Sequence, residues 1–341
     1  LETAKNQELD GIVNIGGDDS NTTAAFLADY HLAQGSKTSV VGVPKTIDGD
    51  LMNRWIEQSF GFDSAAKTYS ELAGNVAMDA LSQGKYYFFI KVMGRTASHL
   101  VLETALNTRP NLALISEEIV HEKRTLDQVV AGLADLIVER SKKGLQHGVI
   151  LIPEGLIECF PEFKTINPEA HAIWDRLPAS TKEQLLMERD PHGNIPVSKI
   201  ETERLLIHFV QQELAKRSDY KGSFQPQPLF FGYEGRCCYP TEFDASYCYA
   251  LGITAAVLVK ENKTGYMACI KHLLEPVEKW QGTGVPLIAM MNLEERKGVV
   301  KPVIRKGLVE LDGDKFKQLK KNHETDALED HYISTGPIQF S

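Results

Sequence analysis

The residues of this chain best suited to chemistry lie in short turns that contain glycine. Gly16-Gly17-Asp18-Asp19-Ser20-Asn21-Thr22 follows an apolar run and opens a helical pattern. Glycines let backbone N–H groups come close to a ligand, and a helix N-terminus favours an anion such as phosphate. Asp18 is a hard oxygen ligand of the kind Mg²⁺ takes. The plainer reading of the same residues is a strand–turn–helix capped by Asp and Ser. Asp19 adds a second carboxylate, which repels a nucleotide's phosphates and fills space where a nucleotide would lie. A second turn, Pro44-Lys45-Thr46-Ile47-Asp48-Gly49-Asp50-Leu51, sets two carboxylates two residues apart. That spacing suits a division of labour, one group taking a proton and the other orienting it or holding metal. Lys45 supplies a compact cation for phosphate. Read alone, the stretch is an ordinary Pro–Asp–Gly turn.

Three further turns follow apolar runs. Met93-Gly94-Arg95 repeats the first pattern and adds a guanidinium, suited to a sugar phosphate or its hydroxyls. Pro153-Glu154-Gly155 puts a carboxylate at a strand end, where it can accept hydrogen bonds from sugar hydroxyls. Phe231-Gly232-Tyr233-Glu234-Gly235-Arg236 brings a phenol and a guanidinium together, a donor pair fit for a phosphate monoester. Each is also readable as a plain strand-end turn.

These turns need elements to hold them. Strands are expected at Asp10–Ile15, Ser39–Val43, Tyr86–Val92, Leu112–Ile115 and Gly148–Ile152. Helices are expected between them at Asn21–Ala33, Asp63–Ser82, Ala97–Leu106 and Leu126–Lys142. The alternation is that of βαβ units on a parallel sheet, whose ligands bind at the strands' carboxyl ends. The pattern breaks after Ile157. Residues 158–222 read as a helical insertion, with helical stretches near Thr181–Arg189 and Ile200–Lys216 and charges on a solvated face. A strand at Leu229–Phe231, a helix over Asp244–Lys260, a strand near Gly265–Ile270 and a short one near Leu287–Met291 complete the reading.

The composition is that of a globular protein. Of 341 residues 43% are hydrophobic and 24% charged, and the net charge is −9. An acidic total argues against a nucleic-acid or anionic-membrane partner. No apolar run is long enough for a membrane span. The five cysteines are odd in number and form no CxxC pair, so neither a disulfide framework nor a zinc site is expected and the compartment reads as reducing. Cys237 and Cys238 are adjacent and follow the Tyr233–Arg236 turn, where they could be oxidised, but nothing beside them marks a reactive thiol and both read as structural. Leu1-Glu2-Thr3-Ala4 reads as the end of a helix begun earlier, so further natural sequence is expected upstream.

The five turns, in this order and spacing, resemble the phosphofructokinase family, and within it the long pyrophosphate-dependent branch with its catalytic beta-type subunits. The resemblance runs from Asp10 to Phe340 and includes Glu188–Asn194 (ERDPHGN), Lys199–Glu203 (KIETE), Thr241–Leu251 and Tyr332–Phe340 (YISTGPIQF). It implies an α/β phosphofructokinase-like fold: two Rossmann-like three-layer α/β/α domains with parallel sheets and a helical insertion. Residues 1–62 with 241–305 would form a donor domain for pyrophosphate and Mg²⁺, incomplete at its N-terminal end. Residues 63–240, including the insertion 158–222, would form the sugar-phosphate domain, with 306–341 as a C-terminal extension.

The resemblance also implies roles. Asp18 would help bind Mg²⁺. Asp48 would deprotonate the 1-hydroxyl of fructose 6-phosphate, assisted by Asp50 and Thr46. Gly17, Asp19, Ser20 and Lys45 would face the donor. Met93, Gly94 and Arg95 would hold the sugar and the moving phosphoryl, Glu154 the hydroxyls, and Tyr233 and Arg236 the 6-phosphate. Members that use ATP typically carry Gly at the positions of Asp19 and Lys45, so this pair implies pyrophosphate. A dimer or larger oligomer in the cytoplasm, in some members with a regulatory alpha-type subunit, also follows from the resemblance. Two departures stand out: the family's Gly-rich loop upstream of Gly16 is absent, and the stretch after Glu158 is short. Two other readings remain open, an ATP-dependent phosphofructokinase and a non-catalytic regulatory subunit. A dinucleotide binder fits poorly, because Gly16–Thr22 lacks the GxGxxG spacing.

Overall fold

The computed structural model describes residues 1–95, 97–163, 173–187, 199–296 and 299–337. The stretch Glu188–Asn194 and the last residues of Tyr332–Phe340 lie outside them. The chain forms two compact units. The first comprises Leu1–Ser64 and Tyr239–Gly307, and the second Ala65–Cys238 and Leu308–Ile338.

In chain order the strands are β1 (Gly11–Gly16), β2 (Ser39–Pro44), β3 (Tyr87–Val92), β4 (Leu112–Ala113), β5 (Gly148–Pro153), β6 (Pro226–Phe231), β7 (Tyr266–Lys271), β8 (Gln281–Pro286), β9 (Met291–Arg296) and β10 (Val299–Ile304). The helices are α1 (Glu2–Asn6), α2 (Asp18–Ala33), α3 (Phe62–Gln83), α4 (His99–Thr108), α5 (Ser116–His121), α6 (Leu126–Lys142), α7 (Ala179–Leu185), α8 (Thr202–Lys216), α9 (Tyr233–Arg236), α10 (Glu242–Lys260) and α11 (Asp314–Asp326).

The first unit has a four-stranded sheet in the order β1-β2-β7-β8. Its inner strands are apolar on both faces, as expected for a sheet covered on two sides. Val40, Met267 and Cys269 point to one side, where they pack with Ala24 and Ala28 of α2. Val41, Val43, Ala268 and Ile270 point to the other, against Tyr247, Leu251 and Ala255 of α10. Period-two alternation along the strands thus builds two cores and three layers. The sheet is parallel except at its edge, where β8 runs antiparallel to β7. The expected strand near Leu287–Met291 is instead a single 3₁₀ turn, Leu287–Met290. Leu287 (1% exposed) and Met290 (5%) face inward while Ile288 (79%) faces out. That is the i, i+3 repeat of a 3₁₀ turn, which a short apolar run does not distinguish from a strand. The β9–β10 hairpin and β8 were not foreseen.

The second unit has the order β4-β5-β3-β6, all parallel. The insertion does not lie wholly in solvent. Its long helix α8 buries Leu205, Leu206, Phe209, Val210 and Leu214 in the main core of this unit, with Leu133 and Ile137 of α6. Glu203 departs from the expected solvated face. It is buried, with Lys91 Nζ of β3 at 3.3 Å. α6 is started by a capping box, Thr125 accepting from Gln128 N while Gln128 Oε1 accepts from Thr125 N. α11, also unforeseen, packs on α4. It is fixed by a bidentate pair from Arg109 to Asp326, 2.7 and 3.0 Å.

Candidate active site

In the first unit the chemistry gathers at the carboxyl ends of β1 and β2. α2 begins at Asp18, immediately after Gly17, so the Asp18-Asp19-Ser20 run forms its first turn. It starts three residues earlier than its apolar periodicity indicates, because Asp and Ser favour a first turn that periodicity does not register. Asn21 locks the junction. Its buried Nδ2 donates to Gly16 O (2.6 Å) and Gly17 O (2.9 Å), with Val43 O at 3.4 Å. Lys45 N donates to Gly16 O at 2.9 Å, which aligns the second turn with the first.

The second turn is organised by its own polar groups. Thr46 Oγ1 accepts from Asp48 N at 3.1 Å, and Thr46 O accepts from Ser59 Oγ at 2.9 Å. Asp48 is half-buried and Asp50 only 4% exposed. Asp50 Oδ1 has no hydrogen-bond partner among the described residues. Burial, then the charges of Asp48 and Asp18, push the Asp50 carboxyl up to about 7, while Lys306 works in the opposite direction. Asp18, Asp48 and Asp50 therefore share one electrostatic neighbourhood. Lys306, which sequence reading did not single out, is its counter-charge. Its Nζ is 3.4 Å from Asp18 Oδ2, and the next residue, Gly307, donates its N–H to Asp50 O at 2.7 Å. No local pattern marks Lys306, because it reaches the cluster by the return of the chain after β10.

In the second unit the carboxyl ends of β5, β3 and β6 lie side by side and carry the other candidates. Met93 N donates to Phe231 O at 3.0 Å, joining the ends of β3 and β6. Gly94 has φ +138°, a conformation L side chains rarely adopt, and its N–H donates to Glu154 Oε2 at 3.2 Å. Gly155 sits so close to the Arg95 carbonyl that a Cβ there would collide with it. Met93 and Glu154 are buried, and Arg95 is half-buried. Tyr233 and Arg236 lie on the exposed single turn α9, the guanidinium 6.0 Å from the Tyr233 ring centroid. Tyr69 of α3, not anticipated, supports that turn from beneath by donating its hydroxyl to Gly232 O at 2.6 Å. Thus Met93, Gly94, Arg95 and Glu154 are linked through backbone and carboxylate, with Tyr233 and Arg236 on the adjoining strand end.

Both sheets, one all parallel and the other parallel but for an edge strand, thus carry glycine turns at the carboxyl ends of their strands. The phosphofructokinase family model aligns with residues 1–259. The chain belongs to the phosphofructokinase family. Relatives within it include the Arabidopsis thaliana pyrophosphate–fructose 6-phosphate 1-phosphotransferase subunit beta 1, 49% identical over all of this chain and 65% of that protein. The Entamoeba histolytica pyrophosphate–fructose 6-phosphate 1-phosphotransferase is 48% identical, over 98% of this chain and 67% of that protein. The Arabidopsis thaliana subunit alpha 2 is 36% identical, over all of this chain and 60% of that protein. The chain thus spans about two thirds of the length of these phosphofructokinases. Among solved structures, a pyrophosphate-dependent phosphofructokinase from Nitrosospira multiformis has the same fold, with a TM-score of 0.62, 15% identity, and coverage of this chain and of that one of 100% and 76%. Among the described residues no helix is long and apolar enough to cross a membrane.

Proposed function

We propose that the chain is the catalytic part of a pyrophosphate-dependent 6-phosphofructokinase. It would move a phosphoryl group from pyrophosphate to the 1-hydroxyl of fructose 6-phosphate, reversibly, giving fructose 1,6-bisphosphate and orthophosphate. The observation that carries this reading is the cluster of Asp18, Asp48 and Asp50, counter-charged by Lys306, at the carboxyl edge of a parallel sheet. Identity of 49% to a beta subunit against 36% to an alpha subunit from the same organism supports the catalytic kind.

Mg²⁺ fits this cluster. Among the described residues no three His, Cys, Asp or Glu side chains group closely enough to cage a metal. Mg²⁺ needs only one or two carboxylates, because water and substrate phosphates fill its other positions. Asp50 Oδ1, without a hydrogen-bond partner among the described residues, and the charges of Asp48 and Asp18 near it support a site for positive charge. When bound, Mg²⁺ neutralises phosphate charge. Asp18 would be its protein ligand.

The chain's own residues would do the rest. Asp48 would accept the proton of the 1-hydroxyl, with Asp50 and Thr46 fixing its turn. Gly17 and Ser20, at the start of α2, would offer backbone N–H groups to the donor. Lys45 would pair with the short donor, and Asp19 would exclude a nucleotide. Arg95, Met93 and Gly94 would hold the acceptor, Glu154 its hydroxyls, and Tyr233 and Arg236 its 6-phosphate. Such transfer depends on positioning and charge neutralisation more than on covalent chemistry. Two subunits or more in the cytoplasm, with an alpha-type partner, are part of the proposal. The subunit names of the Arabidopsis relatives support such a partner.

A coupled assay for fructose 1,6-bisphosphate tests it, using Mg²⁺, fructose 6-phosphate and either pyrophosphate or ATP. Turnover with pyrophosphate alone is expected. Turnover with ATP alone overturns the roles of Asp19 and Lys45. A catalytic base is worth roughly 10²–10⁴ in rate, so Asp48→Ser should lose at least that much with fructose 6-phosphate binding retained. More than a tenth of the activity surviving removes Asp48 from the role.

A further inference from the structure

We infer that Cys237 and Cys238 are a reversible dithiol–disulfide site, oxidised by exchange with a low-molecular-weight disulfide, and that closing the pair loosens the Arg236 turn. The first half stands on the thiols alone. The second rests on the proposed phosphate-binding role of Arg236.

All five cysteines are free thiols, but they are not equally placed to react. Cys269 is buried and its thiol is pushed up to about 12. Cys248 is half-buried and pushed up to about 11. Exchange needs a thiolate, so both are slow reactants. Cys159 is half-buried, with its Sγ 3.7 Å from Gly155 O. Cys237 is exposed, and its sequence neighbour Cys238 is the half-buried resolving thiol, its S–H donating to Gly235 O at 3.1 Å.

The exchange balances in two steps. The Cys237 thiolate attacks one sulfur of the reagent, and the other sulfur leaves as a thiolate. The Cys238 thiolate then attacks the Cys237 sulfur and expels the second thiolate. Two thiols are oxidised, one external disulfide is reduced, and the two protons pass to solvent or to the departing thiolates. Adjacent Cα atoms are about 3.8 Å apart, whereas ordinary disulfides span roughly 4.4–6.8 Å. The bond is therefore strained and readily reduced, as suits a labile bond and not a structural one.

Closure also acts on the turn before it. Cys237 N donates to Tyr233 O at 2.8 Å and so ends α9, while Arg236 N reaches Gly232 O at only 3.4 Å. Turning the 237–238 backbone to close the ring removes the Cys238 bond to Gly235 O and strains the one to Tyr233 O. Tyr233 and Arg236 are then no longer held together.

The test uses the full chain, treated with glutathione disulfide, alkylated, digested and weighed. The peptide carrying both cysteines should lack two hydrogens and take no alkylating agent, and dithiothreitol should reverse this. Cys238→Ser should stop at a glutathione adduct on Cys237. A wild type that carries only adducts, or nothing, at this peptide overturns the site. For the second half, KM for fructose 6-phosphate should rise about tenfold on oxidation with kcat little changed, the effect of weakening one charge-assisted phosphate contact. An unchanged KM with the disulfide formed overturns the coupling. If the reduced chain turns over no fructose 6-phosphate, the functional reading fails, while the peptide masses still decide the disulfide.

Discussion

Replacing Asp50 by Asn should make the protein more stable at pH 8 than at pH 5, relative to wild type, while removing activity. Asp50 is 4% exposed and its carboxyl is raised from 3.8 to about 7 by burial and by Asp48 and Asp18. A raised folded-state pKa means that the fold prefers the neutral acid. Below about pH 3 both folded and unfolded chains are largely protonated there, and the group costs almost nothing. As pH rises the unfolded chain ionises first, and the cost of burying the charge grows by about 1.4 kcal/mol per unit. It levels off above pH 7 at about 4 kcal/mol. Asn has the same shape and no charge, so it escapes this cost. Its amide adds a buried donor worth about 1–3 kcal/mol if unpaired, but that term does not depend on pH.

The informative quantity is therefore the change in the mutant's advantage between the two pH values. At pH 5 only about a third of this cost is expressed, so the advantage should grow by about 2–3 kcal/mol on going to pH 8. Urea unfolding in Mg²⁺-free buffer at both pH values measures it. An equal difference at pH 5 and pH 8 refutes the view that Asp50 carries a costly buried charge near neutrality. Lys306→Met, which removes the opposing cation, should deepen the wild-type penalty at pH 8. A group held at such a cost beside Asp48 is what a stability–activity trade-off predicts if Asp50 has the proposed catalytic role.

Other outcomes follow from particular contacts. Gly155→Ala drives a Cβ into the Arg95 carbonyl, so KM for fructose 6-phosphate should rise about tenfold or more, with about 1–3 kcal/mol lost in urea unfolding. Lys91 is 1% exposed, donates to Ile200 O at 2.7 Å and lies 4.3 Å from the Phe230 ring centroid. Lys91→Met leaves Glu203 buried without its cation and should cost about 3–5 kcal/mol, most of which Lys91→Met with Glu203→Leu should restore in a double-mutant cycle. Arg140 is 0% exposed and pairs with Asp330 at 2.7 Å. Burial pushes the Asp330 carboxyl up, but hydrogen bonds from His147 and Arg140, with the Arg140 charge, outweigh it and hold the group well below the usual carboxylate range. Its contribution is present above about pH 4 and is lost as pH falls further. Asp330→Ala should therefore cost about 3 kcal/mol at pH 7 and somewhat less at pH 3, where the wild type has only begun to lose this contribution, as followed by chemical denaturation.

The sequence by itself determined the local parts. The alternation of apolar runs and helical periodicity marks β1, β2, β3, β5 and β7 and the helices α2, α3, α6 and α10 to within a few residues, because each is specified by its own neighbours. The glycine turns at Gly16, Gly49, Gly94 and Gly155 were legible for the same reason. A strand end, a turn and a helix start are adjacent in the chain, so their chemistry is written in consecutive residues.

Tertiary structure alone decided what depends on distant segments meeting. Lys306 reaches Asp18 across 288 positions of chain, a pairing that no local pattern encodes. Glu203 looks like any charge on a polar helix until α8 docks on β3 and buries it against Lys91. Tyr69 becomes the support of the Arg236 turn only where α3 passes under Gly232. The apolar run at Leu287–Met290 fits strand and 3₁₀ turn equally well, and the choice fell to which side chains could reach the core. Asp50 shows the division most plainly. Its residue type and its spacing from Asp48 are in the sequence, but its altered acidity comes from burial and from charges the fold brings near. Electrostatic energies in a protein depend on distance and solvent access, and both are properties of the folded chain.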